Sequence, residues 1–264
     1  MVKITFDRIL KGIKNPHKAI HLLLFQIKLG KVSNKGERLI IEELDTTKNS
    51  RDLPTLAHIK RYEWVSNYIA NLRCLDNGCG SGYGTYYLAT HGVESIVGTD
   101  ISSDAIKFAQ RHYRVANLTF KIMNSCELKF HSSIFDAIVS FDVLEHIKGT
   151  EQERFISETV RVLKPGGKLY IGCPNKNSME SMRLMGIIGK NPYHHKELTK
   201  REFEQLLQKY YKDVKILGQD IQINGIRQKE KFYKHRSNLS YENLIIVKDN
   251  QEFCHGLLAI CKKS

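Results

Sequence analysis

The stretch Leu75-Asp76-Asn77-Gly78-Cys79-Gly80-Ser81-Gly82-Tyr83-Gly84 decides how the rest of the sequence is interpreted. Its four glycines stand at alternate positions, which allows positive φ angles and a close approach of the main chain to a ligand. The apolar run before it and the helical pattern after it predict a turn from a strand into a helix. A tight turn without a ligand would also favour glycine, so the neighbouring residues must discriminate between the two interpretations.

The spacing of these glycines excludes two phosphate-binding motifs. The dinucleotide pattern GxGxxG fails in every register because positions 83, 85 and 87 are Tyr, Thr and Tyr, and no GxxxxGK[ST] occurs. Asp76 stands just before the glycines, where its carboxylate would repel a pyrophosphate. A nucleoside cofactor without phosphates and with a cationic amino-acid end suits this carboxylate. S-adenosylmethionine (SAM) has this form.

Two later strand ends supply further candidates for binding the same nucleoside. Asp100, twenty residues after Gly80, can accept hydrogen bonds from both ribose hydroxyls, because Ser102 or Ser103 is expected to cap the next helix. Asn124 can accept from an adenine amino group, with the backbone of Ser125 facing a ring nitrogen. Asn at a strand end is also a common turn residue, and this alternative stays open.

Strands alternate with helices after residue 72, which predicts a doubly wound, mostly parallel sheet with helices on both faces. The seven candidate strands are Leu72–Asp76, Ser95–Asp100, Leu118–Met123, Phe135–Ser140, Lys168–Ile171, Val214–Leu217 and Phe253–Cys261. The candidate helices are 56–71, Tyr83–Thr90, Asp104–Val115, Gln152–Leu163 and Lys200–Tyr211, the last opening with a capping box at Thr199 and Glu202. Ligands of such sheets bind at the carboxyl ends of the strands.

At these residues the chain resembles the class I SAM-dependent methyltransferases, and the resemblance covers about 37–261. The motif DxGCGSGYG at Asp76–Gly84 is specific for that family, and further segments follow in the family's order. They are Glu37-Arg38, His58–Tyr62, Phe135–Val139, Phe141–His146, Arg161–Gly167, Asn191–Leu198 and Gly218-Gln219. The resemblance implies a Rossmann-like seven-stranded sheet, SAM as cofactor, and a subgroup often tied to sugar or cell-envelope glycan pathways.

Together these arguments predict a set of cofactor-binding residues. Phe141 is expected to form a wall of the pocket. Arg61 and Tyr62 are expected to close over the cofactor or the acceptor, and a place on a surface helix is the alternative. Asn124 departs from the family pattern, which usually has Asp there. The full set is Tyr62, Asp76, Gly78, Cys79, Gly80, Gly82, Tyr83, Asp100, Ile101, Asn124, Ser125 and Phe141.

Two histidines are candidate catalytic residues. A hydroxyl acceptor needs a base, whereas a neutral amine or a thiolate needs one much less. His194 is placed first because its polar loop after the fifth strand overhangs the acceptor side in this fold; a histidine bonded to the loop backbone is the alternative. His146 is the second candidate.

Asp142, Glu145 and His146 have the i, i+3, i+4 spacing that would place them on one face of a helix. Such a group could hold Mg²⁺ or could shape the acceptor pocket without a metal. Two carboxylates are few oxygen ligands for a hard cation, so no metal is expected.

The leading functional hypothesis is an O-methyltransferase acting on a sugar, a glycan or another small molecule. A nucleic-acid methyltransferase is the alternative suggested by the net charge of +13, although the [DNS]PP[YF] motif is absent after the fourth strand, where Ser140-Phe141-Asp142-Val143 stands. Nucleic acid is therefore not the expected partner. A non-catalytic SAM-binding partner protein is the third possibility.

The positive charge is concentrated in two segments. Residues 1–36 carry eight Lys or Arg and one Asp, and residues 225–236 carry five Lys or Arg and one Glu. We interpret 1–54 as a basic helical segment or lid and 55–264 as the methyltransferase domain. A basic helix with a broad apolar face over 15–29 can lie on an anionic membrane or pack against the domain or a second subunit.

Six cysteines without a CxxC pair predict reduced thiols. The longest apolar run, Leu257–Cys261, has five residues, far short of the about 20 that a spanning helix needs. No secretory signal is recognised either. The expected location is the cytoplasm, with contact at the inner face of the membrane left open.

Overall fold

The computed structural model describes residues 33–34, 39–40, 53–184, 186, 188–223, 226–227, 244–247 and 254–264. The chain divides into two compact units, Met1–Lys48 and Asn49–Ser264. In the first unit, strand β1 (Ser33–Asn34) pairs antiparallel with strand β2 (Leu39–Ile40). These two short strands lie in the stretch 30–54, for which the sequence pattern favours a loop with a short turn. The predicted helix over 15–29 lies outside the described residues.

The second unit alternates strands and helices from its start. Its helices are α1 (Leu53–Ser66), α2 (Tyr83–Thr90), α3 (Ser103–His112), α4 (Gln152–Val162), α5 (Lys176–Leu184) and α6 (Lys200–Gln208), with a 3₁₀ turn at Leu144–His146. Its strands are β3 (Arg73–Asn77), β4 (Ser95–Asp100), β5 (Leu118–Ile122), β6 (Phe135–Phe141), β7 (Leu163–Pro174), β8 (Asp213–Ile223), β9 (Ile226–Arg227), β10 (Leu244–Val247) and β11 (Gly256–Lys262).

Most of these strands belong to one sheet with the order β10-β8-β11-β7-β6-β3-β4-β5. The pairs from β7 through β6, β3 and β4 to β5 are parallel, and β11 is antiparallel to both β7 and β8. The predicted seven-stranded, mostly parallel sheet is thus confirmed. The described residues add β10 as an edge strand on β8, and β9 pairs with β8.

The position of β3 in this order creates the crevice for a ligand. From β3 the chain proceeds outward through β4 and β5 on one side, and later through β6 and β7 on the other. Neighbouring turns therefore diverge at the carboxyl ends of β3 and β6, and such a switch point is where doubly wound sheets bind ligands. The glycine-rich stretch lies there.

Apolar side chains from β6, β7 and β11 pack with those of α4 and α6 to form a buried core, in which Phe135, Phe155 and Phe203 have no exposed surface. The predicted helix starts are confirmed at two caps. Ser102 Oγ accepts from the Ala105 amide at α3, and Thr199 and Glu202 form the capping box of α6. These caps satisfy amides that the first helical turn leaves without partners.

Some boundaries and elements differ from the prediction. β7 begins at Leu163, before the Lys164-Pro165-Gly166-Gly167 segment, and its pairing with β6 shifts register across that segment. Helix α5 was not predicted. None of the described helices has the length and apolar character that crossing a membrane requires.

Candidate functional site: a nucleoside pocket beside a histidine cluster

The glycine turn is held against the neighbouring strand by its own backbone. The amides of Gly78 and Cys79 both donate to the Thr99 carbonyl oxygen at 2.8 Å. Gly78, Gly80 and Gly82 have φ angles of 90°, 53° and 86°, which L side chains rarely adopt. The alternation of glycines is therefore explained by the backbone of this turn.

Gly80 differs from Gly82 because its α-carbon borders open space, which a ligand could occupy. Its amide donates to Asp100 Oδ2 at 3.0 Å. A β-carbon placed on Gly80 would have no heavy atom within 4 Å, whereas one on Gly82 would lie 2.6 Å from the β-carbon of Ala109. Gly82 is thus packed against α3, while Gly80 borders open space into which a nucleoside can approach the backbone.

Asp76 lies at the base of this pocket and is fully buried. Its carboxylate accepts hydrogen bonds from Thr85 Oγ1 at 2.7 Å and from the Tyr62 hydroxyl at 3.1 and 3.2 Å. Burial raises the pKa of Asp76 to about 7, although these hydrogen bonds act in the opposite direction. A buried carboxylate near its titration point gains from a cationic ligand, which fits the amino-acid end of SAM.

Tyr62 is fixed by α2 as well as by Asp76. Its ring is buried, and a β-carbon on Gly84 would overlap that ring. The fourth glycine of the motif is therefore required by the close packing of α1 on α2. The structure places Tyr62 beneath the cofactor turn, in the wall of the pocket.

Asp100, which is predicted to bind the ribose, lies beside two exposed apolar side chains. Asp100 Oδ1 accepts from the Ser102 amide at 2.8 Å, and Oδ2 accepts from Gly80. A carboxylate oxygen has two acceptor sites, so capacity for ribose hydroxyls remains. Ile101 and Ile122 are 64% and 56% exposed at the ends of β4 and β5, which suits cover by an aromatic base.

The residues predicted to bind adenine adopt a turn. Asn124 is exposed, and its Oδ1 accepts from the Cys126 amide at 2.9 Å. This is the turn role that the sequence left open. Contact of Asn124 and Ser125 with adenine stays a prediction.

A polar network joins α1 to β8 and to the residue after β6. Arg61 Nε donates to Gln219 Oε1 at 2.6 Å, and Arg61 Nη1 lies 2.5 Å from Asp142 Oδ1. Burial acts to raise the pKa of Asp142, but Arg61 reverses this and holds it below its usual range. Burial also lowers the pKa of His58 to about 4, so this imidazole, which is hydrogen-bonded to the Tyr83 hydroxyl, is neutral at pH 7.

Phe141 closes this side of the pocket. Its ring is buried and meets the rings of Tyr62 and His58 edge-on, at centroid distances of 5.3 and 6.4 Å. Cys79 is also buried, and burial raises the pKa of its thiol well above the usual value. This agrees with small size, and not reactivity, as the reason for a cysteine there.

The expected helical face of Asp142, Glu145 and His146 is not formed. Asp142 has φ of 54° and pairs with Arg61, and only Leu144–His146 form a 3₁₀ turn. The isolated left-handed residue directs the chain away from a helix. Glu145 and His146 are instead joined by His194, and the three offer ligand atoms that all lie within 4.8 Å of one another.

The two candidate catalytic histidines are thus neighbours, with ring centroids 5.1 Å apart. His194 Nδ1 bonds to Glu197 Oε1 at 2.7 Å, and His146 Nδ1 bonds to the Tyr193 carbonyl oxygen at 3.2 Å. An acceptor at Nδ1 selects the tautomer with its lone pair on Nε2.

The sequence analysis missed several partners in the site. Thr85, Gln219 and Glu197 were given no role, although they fix Asp76, Arg61 and His194. His58 and Arg61 stand at i and i+3 on α1, a spacing that could have indicated a shared polar face. Their partners are distant in sequence, so no local pattern could identify them.

Comparison with known proteins agrees with this geometry. A family model described as a methyltransferase domain matches residues 75–171, from the end of β3 into β7. A probable S-adenosylmethionine-dependent methyltransferase of Mycolicibacterium smegmatis is 30% identical over 167 residues, or 60% of this chain and 62% of that protein. The mitochondrial ubiquinone biosynthesis O-methyltransferase of Rattus norvegicus is 33% identical over 47% of this chain and 39% of that protein.

A fatty-acid O-methyltransferase of Mycolicibacterium smegmatis is 36% identical over 96 residues, which are 36% of this chain and 34% of that protein. The chain therefore spans less than two thirds of the length of each of these three relatives.

Solved structures extend the agreement to the whole sheet. A SAM-dependent methyltransferase of Thermotoga maritima, described as a possible histamine N-methyltransferase, has a TM-score of 0.61 at 17% identity and covers 80% of this chain and 92% of that chain. A SAM-dependent methyltransferase of Archaeoglobus fulgidus has a TM-score of 0.56 at 21% identity. These likenesses show the fold, and the match over 75–171 shows the domain. Residues 75–171 thus match a methyltransferase domain, and the described sheet has the fold of SAM-dependent methyltransferases.

Proposed function

We propose that this protein is a SAM-dependent methyltransferase that methylates an oxygen atom of a sugar, a glycan or another small molecule. The observation that carries the proposal is the open side of Gly80, whose amide donates to Asp100, in the turn that follows Asp76. The two carboxylates and the approachable backbone suit a cationic nucleoside without phosphates.

In this proposal the chain's residues bind and orient, while bound SAM would supply an electrophilic methyl group on a sulfonium. Asp76 would hold the cationic amino-acid end, Asp100 the ribose, and Ile101 would cover the base. Phe141 and Tyr62 exclude water from one wall. Such alignment accounts for most of the catalysis when the cofactor carries the reactive group.

An oxygen acceptor is supported by the histidine pair. A hydroxyl must lose a proton, and His194, whose Nδ1 is bonded to Glu197, has the tautomer that a base requires. Two relatives named above are O-methyltransferases by name, which points the same way. The sugar or glycan class rests on the sequence resemblance of the segment Asn191–Leu198.

Binding and transfer can be tested separately. Isothermal titration with SAM should show one site, and NADH should not displace it. Labelled methyl groups should then pass from SAM to a sugar or glycan pool in preference to an RNA pool. Transfer to RNA alone would favour the nucleic-acid alternative, and tight SAM binding without transfer to any pool would favour a non-catalytic partner protein.

The proposal also includes a location at the membrane surface. The basic residues of 1–36 would attract anionic lipid and bring the enzyme to the inner face of the membrane, where lipid-linked acceptors occur. Packing of this segment against a protein surface is the competing outcome.

A further inference from the structure

The histidine cluster is built by two separate parts of the chain. Glu145 and His146 belong to the 3₁₀ turn after β6, and His194 belongs to the loop before α6. The amides of His195 and Lys196 donate to the Glu145 carbonyl oxygen at 2.8 and 3.2 Å. The backbone therefore clamps the loop onto the turn and brings three possible ligands together.

The outer partners of this cluster orient it. Glu197, which bonds to His194 Nδ1, is itself held by the guanidinium of Arg183, whose Nη1 donates to Oε2 at 2.9 Å. His146 Nδ1 faces the Tyr193 carbonyl oxygen. Metal-binding histidines commonly donate their second ring N–H to a carboxylate or a backbone carbonyl in this way.

Glu145 supplies the carboxylate. It is 2% exposed, and its Oε1 lies 3.9 Å from His146 Nε2. Asp142, the nearest other carboxylate in the turn, is paired with Arg61 and does not join the cluster.

We infer that Glu145, His146 and His194 bind a divalent transition-metal ion. Two imidazoles and one carboxylate favour Zn²⁺, Co²⁺, Fe²⁺ or Mn²⁺ over Mg²⁺, which prefers an all-oxygen set. Ligands of a tetrahedral zinc ion at about 2.1 Å lie roughly 3.4 Å apart. The present separations, up to 4.8 Å, close to that value with a side-chain adjustment of about 1 Å.

The ion would lie beside the cofactor pocket. Val143 begins the turn that carries Glu145 and packs directly against Gly78, where an added β-carbon would overlap it. Three protein ligands leave a coordination position for the acceptor hydroxyl, whose pKa the ion lowers. This role rests on the proposed function, and it replaces the base role given there to His194 with that of a metal ligand.

Methyl transfer from SAM to the acceptor hydroxyl needs no further reactant. The acceptor O–H bond breaks and its proton goes to solvent. The oxygen then forms a bond to the methyl carbon as the carbon–sulfur bond breaks, and that electron pair stays on sulfur. No oxidation or reduction occurs.

Binding is tested on the full chain after removal of metal by chelation. Titration with Zn²⁺, and with Co²⁺ followed by visible absorption, should show one ion per chain, with Mg²⁺ far weaker. E145Q, H146A and H194A should each weaken binding at least about tenfold, and E197Q by about tenfold through the lost orientation. H195A is the matched control, because His195 is exposed and adjacent, and it should bind as the parent does.

The outcomes separate this inference from the proposed function. SAM binding by each variant shows that it is folded. A cobalt–thiolate absorption band would place the ion on cysteine, and equal affinities in all the variants would place it elsewhere; either result overturns the inference. Normal metal binding without SAM binding or methyl transfer would contradict the proposed function and leave the metal site supported. Full transfer activity in chelated protein would assign His194 as a simple base and overturn the metal's role.

Discussion

At the scale of single residues, the fully buried Asp76 links cofactor affinity to pH. Its pKa is raised to about 7, so it is largely protonated at pH 6 and largely ionised at pH 8. A cationic ligand binds the ionised form, so SAM affinity should rise about tenfold from pH 6 to pH 8 and level off above it. Isothermal titration across this range measures the change.

Asp76→Asn is the control for this prediction. It removes the titrating group and keeps the shape, so affinity should be low and should vary with pH only through the ligand's own amino group.

The raised pKa of Asp76 also makes the stability of the protein depend on pH. Because the carboxyl group binds its proton more tightly in the folded state, the free energy of unfolding falls as pH rises from about 4 through 7, and the Asn variant should lack that decline. The same slope in both proteins would contradict the assignment.

Gly84 tests the packing beneath the glycine turn. Its β-position is occupied by the Tyr62 ring, so Gly84→Ala must displace that ring and the hydrogen bond to Asp76. Overpacking of this kind costs about 1–3 kcal/mol, and SAM affinity should fall with it. Thermal unfolding measures the loss. Gly189→Ala is the control, because a β-carbon on Gly189 has no heavy atom within 4 Å.

Residues near one another in sequence were predicted well, and residues joined only in space were not. The glycines and Asp76 lie within one short stretch, so their spacing alone predicts the turn that they form. The pairing of Asp142 with Arg61 depends on how α1 crosses the end of β6, and the spacing of Asp142, Glu145 and His146 suggested a helix instead. His194 meets His146 across 48 residues for the same reason. Periodicity carries no signal for either contact.

At the scale of elements, the Arg61–Asp142 ion pair connects α1 to the end of β6. Asp142→Asn should tolerate the left-handed backbone, since Asn adopts it readily, yet it leaves the buried guanidinium without its counter-charge. Breaking a buried pair costs about 3–5 kcal/mol, and the 30% exposure of Asp142 reduces this to roughly 2–3 kcal/mol. Urea unfolding of Arg61→Met, Asp142→Asn and the double variant gives the coupling energy.

The pH dependence of that pair has a definite sign. The pKa of Asp142 is held below its usual range, so its stabilising contribution is complete above about pH 4 and is lost as pH falls through the lowered value. Parent and Asp142→Asn should therefore converge in stability in acid. A constant difference down to pH 2 would show that the substitution acts through some other contact.

The capping box of α6 is a second test at this scale. Thr199→Ala removes the acceptor of the Glu202 amide and should cost about 1 kcal/mol of unfolding free energy. Ser restores the hydroxyl, so Thr199→Ser should recover most of the loss. An Ala variant as stable as the parent would mean that solvent satisfies this helix end equally well.

At the scale of the whole molecule, the sheet was predictable because its signals are local and repeated. Each parallel strand is a short apolar run followed by a helical pattern, and the right-handedness of such crossovers limits the possible orders of the strands. The edge strand β10 and helix α5 lack this repetition. Leu244–Val247 is four residues long, and α5 has a polar sequence in which Ser178 and Met182 are buried.

The positive charge of residues 1–36 predicts binding to anionic lipid. If residues 1–36 contact anionic lipid, each lysine there contributes about 1 kcal/mol near the surface. Replacing Lys14, Lys18 and Lys28 by Glu should then abolish co-sedimentation with phosphatidylserine vesicles and leave SAM binding unchanged. The same change at Lys229, Lys231 and Lys234 alters the net charge equally, so it separates a local effect from a general one. If both triple variants still sediment, or if neither the parent nor the variants do, the segment serves a protein contact, and size-exclusion chromatography of parent and variants should then show a change of assembly.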